Sequence, residues 1–197
     1  WRTMSEYQDH GHDHKVNPGA RGGEGRRFVG FNYRMMELQG AIGLAQLAKL
    51  DSIVASQQKN KNILKEAASS IKGVAFRELI DEQGDSATFL AFTMQDRNHC
   101  AKINEMLRGE GFGAINFAEN SWHFYPKWEH LLEGKSTVAS GYPFADPGGK
   151  RRIVYDPKEL PQSTALLERT LVYPVSIRMS EEQLTGMSRA LQKAATV

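Results

Sequence analysis

The sequence predicts a long helix followed by a small α+β domain, and two patterns support this prediction. Apolar side chains recur at steps of three and four from Leu38 to Val54, the spacing that lines one face of an α-helix. After Gly73 the chain alternates short strand-like runs with amphipathic helices, an order typical of a small sheet with helices on one face. We therefore divide the chain into the end of a larger domain with a loop at 1–35, a linking helix at 36–72 and the α+β domain at 73–197.

Local patterns predict the elements of this last part. The runs with strand character lie at 74–76, 87–94, 114–117 and 170–177. A helix is predicted at 99–110 and closed by Gly111. The segment 134–162 contains four prolines and is predicted as loop. Ser180 and Gln183 have the spacing of a capping box, which predicts the start of a final helix.

Composition excludes several classes of protein. The 25 Lys and Arg nearly balance the 23 Asp and Glu, so net charge gives no reason to expect a nucleic-acid or membrane partner. No apolar run is long enough to span a bilayer, and the N-terminus does not resemble a signal peptide. The single Cys100 excludes an internal disulfide framework and favours the cytoplasm; we interpret it as a half-exposed helix position rather than a nucleophile. Because the chain opens on Trp1, we expect it to be a fragment.

A polar turn directly before the helix contains the most informative motif. It reads Gly-Phe-Asn-Tyr-Arg-Met-Met-Glu over 30–37 and continues into the apolar-periodic stretch 38–51. A helix anchored by its apolar face would hold such a turn in place, so that Asn32 and Arg34 present an amide and a guanidinium to an anionic ligand. Asn32 is alternatively a helix cap, and Arg34 alternatively pairs with Glu37 at the helix start.

This stretch resembles the DegT-type sugar aminotransferases, which are pyridoxal-phosphate enzymes with the type I, aspartate-aminotransferase α/β fold. The positions that match their Gly-x-Asn-x-Arg motif and the helix after it are Gly30, Asn32, Arg34, Met35, Glu37, Gln39, Ala41, Gly43, Gln46, Leu47, Leu50 and Asp51. Gly40 stands where Ala is usual. Asp9-His10-Gly11 is similar to another family segment. Within the family, the 8-amino-3,8-dideoxy-manno-octulosonate transaminases share Asp9 to His14, Phe76-Arg77-Glu78, Gly84 to Ala87, Trp122-His123 and Trp128.

The resemblance implies a function for the full-length protein. That function is transfer of an amino group from glutamate to a keto or aldehyde sugar, free or nucleotide-linked, for lipopolysaccharide and other cell-surface polysaccharides. It also implies a homodimer, in which Asn32, assisted by Arg34, reaches the cofactor phosphate of the neighbouring subunit. The Schiff-base lysine would lie upstream of residue 1, since Lys15 does not have the family's spacing. We therefore assign no catalytic residue and expect this fragment alone to be inactive.

Three histidines alternate with Gly and Asp near the N-terminus. On an extended strand His10, His12 and His14 would point the same way, an arrangement that also suits a metal ion. No second group of ligands is apparent in the sequence, and the resemblance favours His10 and His12 at the mouth of the active site. We therefore predict that this pair binds an acidic sugar and assign no metal ligand.

An aromatic segment is the other candidate for substrate binding. Aromatic faces stack on sugars, while His and Tyr donate hydrogen bonds to hydroxyls. On this basis Trp122, His123 and Tyr125 are predicted to bind substrate; the alternative is core packing, which we favour for Trp128.

Other functions on the same fold stay open. One is a pyridoxal-phosphate sugar dehydratase or isomerase, in which a histidine can replace the lysine. The others are a sugar-binding regulator without turnover and a dimerisation module.

Overall fold

The computed structural model describes residues 1–13, 25–146, 148 and 152–196, so His14 and Lys15 lie outside the described part. The chain forms two compact units, Trp1–Asp51 and Ser52–Val197, which are described separately. The helices and strands are α1 (Arg2–Tyr7), α2 (Glu37–Leu47), α3 (Leu50–Ala68), β1 (Ala75–Phe76), β2 (Phe89–Thr93), α4 (Arg97–Gly109), β3 (Ile115–Asn116), α5 (Glu129–Leu132), α6 (Pro161–Leu167), β4 (Thr170–Pro174) and α7 (Glu181–Ala194). Among the described residues, no helix combines the length and apolar character needed to cross a bilayer.

The second unit contains a four-stranded antiparallel sheet in the order β1-β2-β4-β3. The two central strands pair along their whole length, with Phe89 opposite Pro174. In β2 the alternate residues Leu90 and Phe92 are buried, which is the period of two expected for a strand with one face on a core. The sheet confirms the predicted α+β architecture of this part of the chain.

Two amphipathic helices complete the core of the second unit. In α4 the buried side chains Cys100, Ile103 and Leu107 recur with helical spacing, and α7 contributes a similar row. The start of α7 is the capping box that the sequence predicts. The Gln183 amide donates to Ser180 Oγ at 3.1 Å, and the Ser180 amide donates to Gln183 Oε1 at 3.0 Å.

The helix predicted over 36–72 is present as two helices. α2 ends at Leu47 and α3 begins at Leu50. Between them the Lys49 amide donates to the Gln46 carbonyl at 3.0 Å, an i→i−3 contact that tightens the last turn and interrupts the α-helical ladder. The boundaries drawn from the sequence between the three parts stay a prediction.

The apolar residues of the two helices differ in environment. In α3, Leu64 and Ala68 are fully buried in the core of the second unit. In α2, Leu38 is 68% exposed and Ile42 is 54% exposed, and Ala45 is also exposed. The expectation that this face of α2 anchors the polar turn before it is therefore wrong for this chain.

Cys100 differs from its predicted environment. It is fully buried in α4 rather than half-exposed. Burial, together with the negative charge of Glu119, raises the pKa of the thiol to about 11. Since the thiolate is the reactive form, Cys100 is a core residue and not a nucleophile.

Candidate functional site

The Asp-His-Gly segment and the Asn-x-Arg turn lie side by side in the first unit. Asp9 and Asn32 form an antiparallel bridge. The His10 amide donates to the Phe31 carbonyl at 2.9 Å, and the Phe31 amide donates to the Tyr7 carbonyl at 2.8 Å. These backbone hydrogen bonds, rather than the apolar face of α2, hold the polar turn in place.

Two glycines make this close approach possible. A Cβ added at Gly30 would lie 2.5 Å from the amide nitrogen of Gly11 and 2.7 Å from the Tyr7 carbonyl oxygen. At Gly11, which has φ of +75°, an added Cβ would lie 1.9 Å from the Phe28 carbonyl oxygen. Only a residue without a side chain fits these positions, so the glycines of both motifs are needed to bring the segments together.

The two residues predicted to bind the cofactor lie next to each other in the turn. Arg34 Nε lies 3.1 Å from Asp9 Oδ1 and donates a longer bond of 3.4 Å to Asn32 Oδ1. The ion pair of Arg34 is thus with Asp9, where the sequence left open a pair with Glu37. The N-cap of α2 is Met36, so the alternative of Asn32 as the cap of this helix is excluded.

The orientation of both side chains suits an anion. Among the described residues, both contacts of Arg34 use Nε, and its side chain is 55% exposed, so its two terminal nitrogens are available to a ligand. With its oxygen turned toward Arg34, the Asn32 amide has its NH₂ group available as a neutral donor. This pair of donors matches phosphate or carboxylate oxygens.

A buried carboxylate supports the Asp-His-Gly segment, and sequence reasoning did not find it. The Glu6 side chain is fully buried and accepts hydrogen bonds from Arg2 Nε at 2.7 Å and Arg27 Nη1 at 2.5 Å. Burial acts to raise the pKa of Glu6, but these bonds outweigh it and hold the pKa below its usual range. The Glu6 carbonyl accepts the amides of Asp9 at 3.1 Å and Gly11 at 2.7 Å. In the sequence Glu6 is one acid in a polar stretch, with no motif to mark it.

A cavity of about 570 Å³ opens beside Asp9 and Arg34. Its lining residues are Trp1, Arg2, Ser5, Glu6, Gln8, Asp9 and Arg34. Both arginines of this lining are paired with carboxylates, and the Arg34 side chain stays 55% exposed. The cavity therefore offers a place for an anionic group at Arg34.

The histidine pair predicted to bind substrate is also formed. The ring centroids of His10 and His12 are 5.6 Å apart, with an angle of 32° between the planes. His10 has φ of +57°, an uncommon conformation for a residue with a side chain, and its Nδ1 lies 3.4 Å from Asp9 Oδ1. Both rings lie outside the lining of the 570 Å³ cavity.

The aromatic candidates belong to the second unit and do not share one environment. Trp122 is 81% exposed and His123 is exposed, and the amides of both donate to Asn120 Oδ1, at 2.8 and 3.1 Å. Phe124, which follows them, is buried. The turn therefore presents Trp122 and His123 to solvent, as a binding surface requires.

Tyr125 faces another loop. Its hydroxyl is shared between the Asp156 carbonyl at 2.9 Å and Glu159 Oε2 at 3.2 Å. Partial burial and the bond to Glu159 raise the pKa of the Tyr125 hydroxyl. The expectation that Trp128 lies in the core is wrong, because Trp128 is half-buried, edge-on to Tyr125, with its indole N–H bonded to the Trp122 carbonyl at 3.1 Å. The hydrogen bonds of Tyr125 and Trp128 thus stabilise the loop that exposes Trp122.

Comparison with known proteins identifies the family. The profile of the DegT/DnrJ/EryC1/StrS aminotransferase family matches residues 1–146. An aminotransferase from Psychrobacter cryohalolentis superposes on 98% of this chain with a TM-score of 0.67 and 18% identity. The aminotransferase PseC of Helicobacter pylori, involved in the biosynthesis of pseudoaminic acid, superposes on 98% with a TM-score of 0.60 and 16% identity. The chain spans 48% and 45% of these two proteins, respectively.

A curated relative matches a shorter segment. GDP-4-keto-6-deoxy-D-mannose 3-dehydratase of Yersinia pseudotuberculosis is 40% identical over 68 residues, which are 34% of this chain and 16% of that protein. The structural matches, at low identity, establish the fold. The family profile covers most of the chain, including the Asp-His-Gly segment and the Asn-x-Arg turn. The chain therefore belongs to the DegT/DnrJ/EryC1/StrS aminotransferase family.

Proposed function

We propose that the full-length protein is a pyridoxal-phosphate aminotransferase that moves an amino group from glutamate to a keto or aldehyde carbon of an acidic sugar. The product would serve lipopolysaccharide or another cell-surface polysaccharide. Among family members, the 8-amino-3,8-dideoxy-manno-octulosonate transaminases are our candidate subgroup, on the strength of the shared Asp9 to His14 and Trp122-His123 segments. The protein is proposed to act in the cytoplasm.

The observation that carries this proposal is the position of Asn32 and Arg34 beside Asp9, with which Asn32 forms a backbone bridge and Arg34 an ion pair. A neutral NH₂ group and an exposed guanidinium fit the phosphate of pyridoxal phosphate. When bound, the cofactor supplies the electron sink that allows proton loss from the α-carbon of the amino donor. The residues of this chain would bind and orient its phosphate, and we assign neither the Schiff-base lysine nor the acid at the pyridine nitrogen to a described residue.

The residues proposed to bind the substrate are the histidine pair of the first unit and the aromatic segment of the second. In the first unit, the imidazoles of His10 and His12 are proposed to bind a substrate carboxylate. In the second unit, Trp122, His123 and Tyr125 are proposed to bind a sugar ring and its hydroxyls. Exposure of Trp122 and His123 supports this role; Tyr125 would act mainly by holding the loop, since its hydroxyl is already bonded to Asp156 and Glu159.

A homodimer with shared active sites is part of the proposal. Leu38 and Ile42, one turn apart on the same face of α2, are exposed apolar side chains and form a surface that water does not favour. A second copy of the chain covering this face would bring the turn that carries Asn32 and Arg34 to the neighbouring cofactor.

The test is a titration of the full-length protein with pyridoxal phosphate, followed by visible absorption before and after addition of glutamate. We expect a band of bound cofactor that shifts on adding glutamate. Asn32→Ala should raise the Kd for pyridoxal phosphate about tenfold to a hundredfold, because a hydrogen bond to a charged group contributes about 1.5–3 kcal/mol. Asn62→Ala, at an exposed position of α3, is the matched control and should leave this Kd unchanged.

Two results would contradict the proposal. If no band forms with added cofactor, the pyridoxal-phosphate assignment is wrong and a dimerisation module is left. If a band forms but does not respond to glutamate, the protein is a dehydratase, uses another donor or is a regulator without turnover.

A second candidate function is a sugar dehydratase of the same fold. The 40% identity to GDP-4-keto-6-deoxy-D-mannose 3-dehydratase over 68 residues favours it. The two reactions differ in the product, because amination adds nitrogen to the sugar whereas dehydration removes water. Mass spectrometry of the sugar after reaction with isotopically labelled glutamate distinguishes them: labelled nitrogen in the sugar supports the aminotransferase, and loss of water without nitrogen supports the dehydratase.

A further inference from the structure

We propose that Asp9, His10 and His12 form a binding site for a divalent transition-metal ion of the zinc type. This goes beyond the aminotransferase function and beyond the sugar contact proposed for the two histidines. In the sequence no second group of metal-ligating residues accompanies these histidines, so a metal site is the weaker interpretation there. The structure adds a carboxylate, because Asp9 lies against His10.

The three side chains place their ligand atoms close together. One nitrogen from each imidazole and one oxygen of Asp9 all lie within 4.8 Å of one another. Asp9 Oδ1 and His10 Nδ1 are 3.4 Å apart. Two ligands on a tetrahedral zinc ion, each about 2.1 Å from the metal, are separated by about 3.4 Å. The Asp9–His10 pair therefore already has the required spacing, and a nitrogen of His12 lies within 4.8 Å of a ligand atom of each.

The set of ligands selects a class of metal. Two imidazoles and one carboxylate suit Zn²⁺ and neighbouring first-row ions, whereas Mg²⁺ and Ca²⁺ prefer sites made of oxygen ligands. Three protein ligands leave at least one coordination position open, as in catalytic rather than structural zinc sites. The site would thus take zinc with water or another small ligand in the remaining position.

The backbone that carries the ligands is held before any ion binds. The His12 amide donates to the Asp9 carbonyl at 3.0 Å, and the Gly11 amide donates to the Glu6 carbonyl at 2.7 Å. The left-handed conformation of His10 turns the chain so that the His10 and His12 rings approach each other. Because these hydrogen bonds already order the backbone, less of the chain must be ordered when an ion binds, which lowers the entropic cost of binding.

The positive charge of Arg34 disfavours a metal ion at this site. Arg34 Nε lies 3.1 Å from Asp9 Oδ1, so an ion at the site would sit close to a guanidinium. The repulsion between the two cations weakens binding relative to a site without Arg34. Arg2 and Arg27 are paired with the Glu6 carboxylate, and Arg26 lies opposite His12 in an antiparallel bridge. Removal of the Arg34 charge should therefore tighten the metal site while it weakens the phosphate site proposed above.

The test is isothermal titration of the full-length protein with Zn²⁺, in the absence of pyridoxal phosphate and sugar. We expect one zinc ion per chain at this site. His10→Asn and His12→Gln should each weaken binding at least about tenfold, the scale of losing a group that supports a metal. Asn is chosen at position 10 because it tolerates a positive φ, which keeps the loop folded. Arg34→Gln should tighten zinc binding, because it removes a positive charge beside Asp9.

His130→Gln is the matched control, because His130 is an exposed histidine of the second unit. It should leave the zinc affinity unchanged. The proposal is overturned if zinc does not bind, if His10→Asn and His12→Gln bind it as tightly as the parent, or if His130→Gln removes the binding. Because no cofactor is present, a failure here leaves the pyridoxal-phosphate titration and the proposed aminotransferase function unaffected.

Discussion

Replacement of Gly30 by alanine tests the close approach that builds the candidate site. The new Cβ would lie 2.5, 2.7 and 2.9 Å from backbone atoms of Gly11, Tyr7 and His10, respectively, whereas ordinary contact begins near 3.4 Å. The segments must therefore separate by up to about 0.9 Å, and no flexible side chain is present to yield instead. Overpacking of this kind costs about 1–3 kcal/mol.

The expected result is a local loss of protection. A cost of about 1–3 kcal/mol should speed hydrogen exchange of the amides of His10, Phe31 and Tyr33 about fivefold to a hundredfold, because these amides bond across the two segments. Amide exchange followed by mass spectrometry measures this effect in peptides that contain those residues. Amides of β2 and β4 in the second unit should keep their protection.

Gly43→Ala is the matched control. An added Cβ at Gly43, in α2, meets nothing within 4 Å, and alanine favours a helix by about 1 kcal/mol over glycine. Exchange in the paired segments should therefore be unchanged by Gly43→Ala. If Gly30→Ala also leaves the protection of His10 and Phe31 unchanged, the inferred close packing is wrong.

Three further predictions concern stability. The pKa of Glu6 in the folded state lies below its ordinary value of 4.5, so its ionised form contributes stability that is fully present above pH 4.5 and is lost as the pH falls through the folded-state pKa. Glu6→Gln should therefore reduce the loss of stability at acidic pH, measured by denaturation at a series of pH values. An unchanged loss would contradict this role of Glu6. Leu107→Ala should lower the free energy of unfolding by about 2–5 kcal/mol in urea titrations, because Leu107 is fully buried, and a loss below about 1 kcal/mol would argue against that core. Ser180→Ala should cost about 1 kcal/mol through the lost cap of α7, whereas the neighbouring Arg178→Ala, outside the helix, should show no comparable loss.

Local patterns were sufficient for much of the second unit. The alternation in β2, the helical spacing of Ile103 and Leu107 and the pairing of Ser180 with Gln183 all depend on neighbours in sequence. The break between α2 and α3 was not predictable in this way, because the residues around Lys49 are good helix formers and include no proline or glycine. The burial of Cys100 likewise depends on what packs against α4.

For the candidate site, the motifs identified residues but not their partners. The Asn-x-Arg turn marked Asn32 and Arg34, yet the ion pair of Arg34 could not be chosen from sequence, since Glu37 was nearer along the chain than Asp9. The buried Glu6 had no pattern to reveal it, because burial of a carboxylate depends on the two arginines that fold around it.

By itself the sequence determined the strands of the second unit, the helices α4 and α7 and the family motifs, because periodicity, capping and turn residues act over a few positions. Only the tertiary structure decided that the Asp-His-Gly segment meets the Asn-x-Arg turn. That contact requires Gly11 and Gly30, because only glycine lets the two backbones approach so closely. The two segments are too far apart in the sequence for a local pattern to predict their contact. The same folding brings Asp9 to both Arg34 and His10, and so places the proposed phosphate and metal sites side by side.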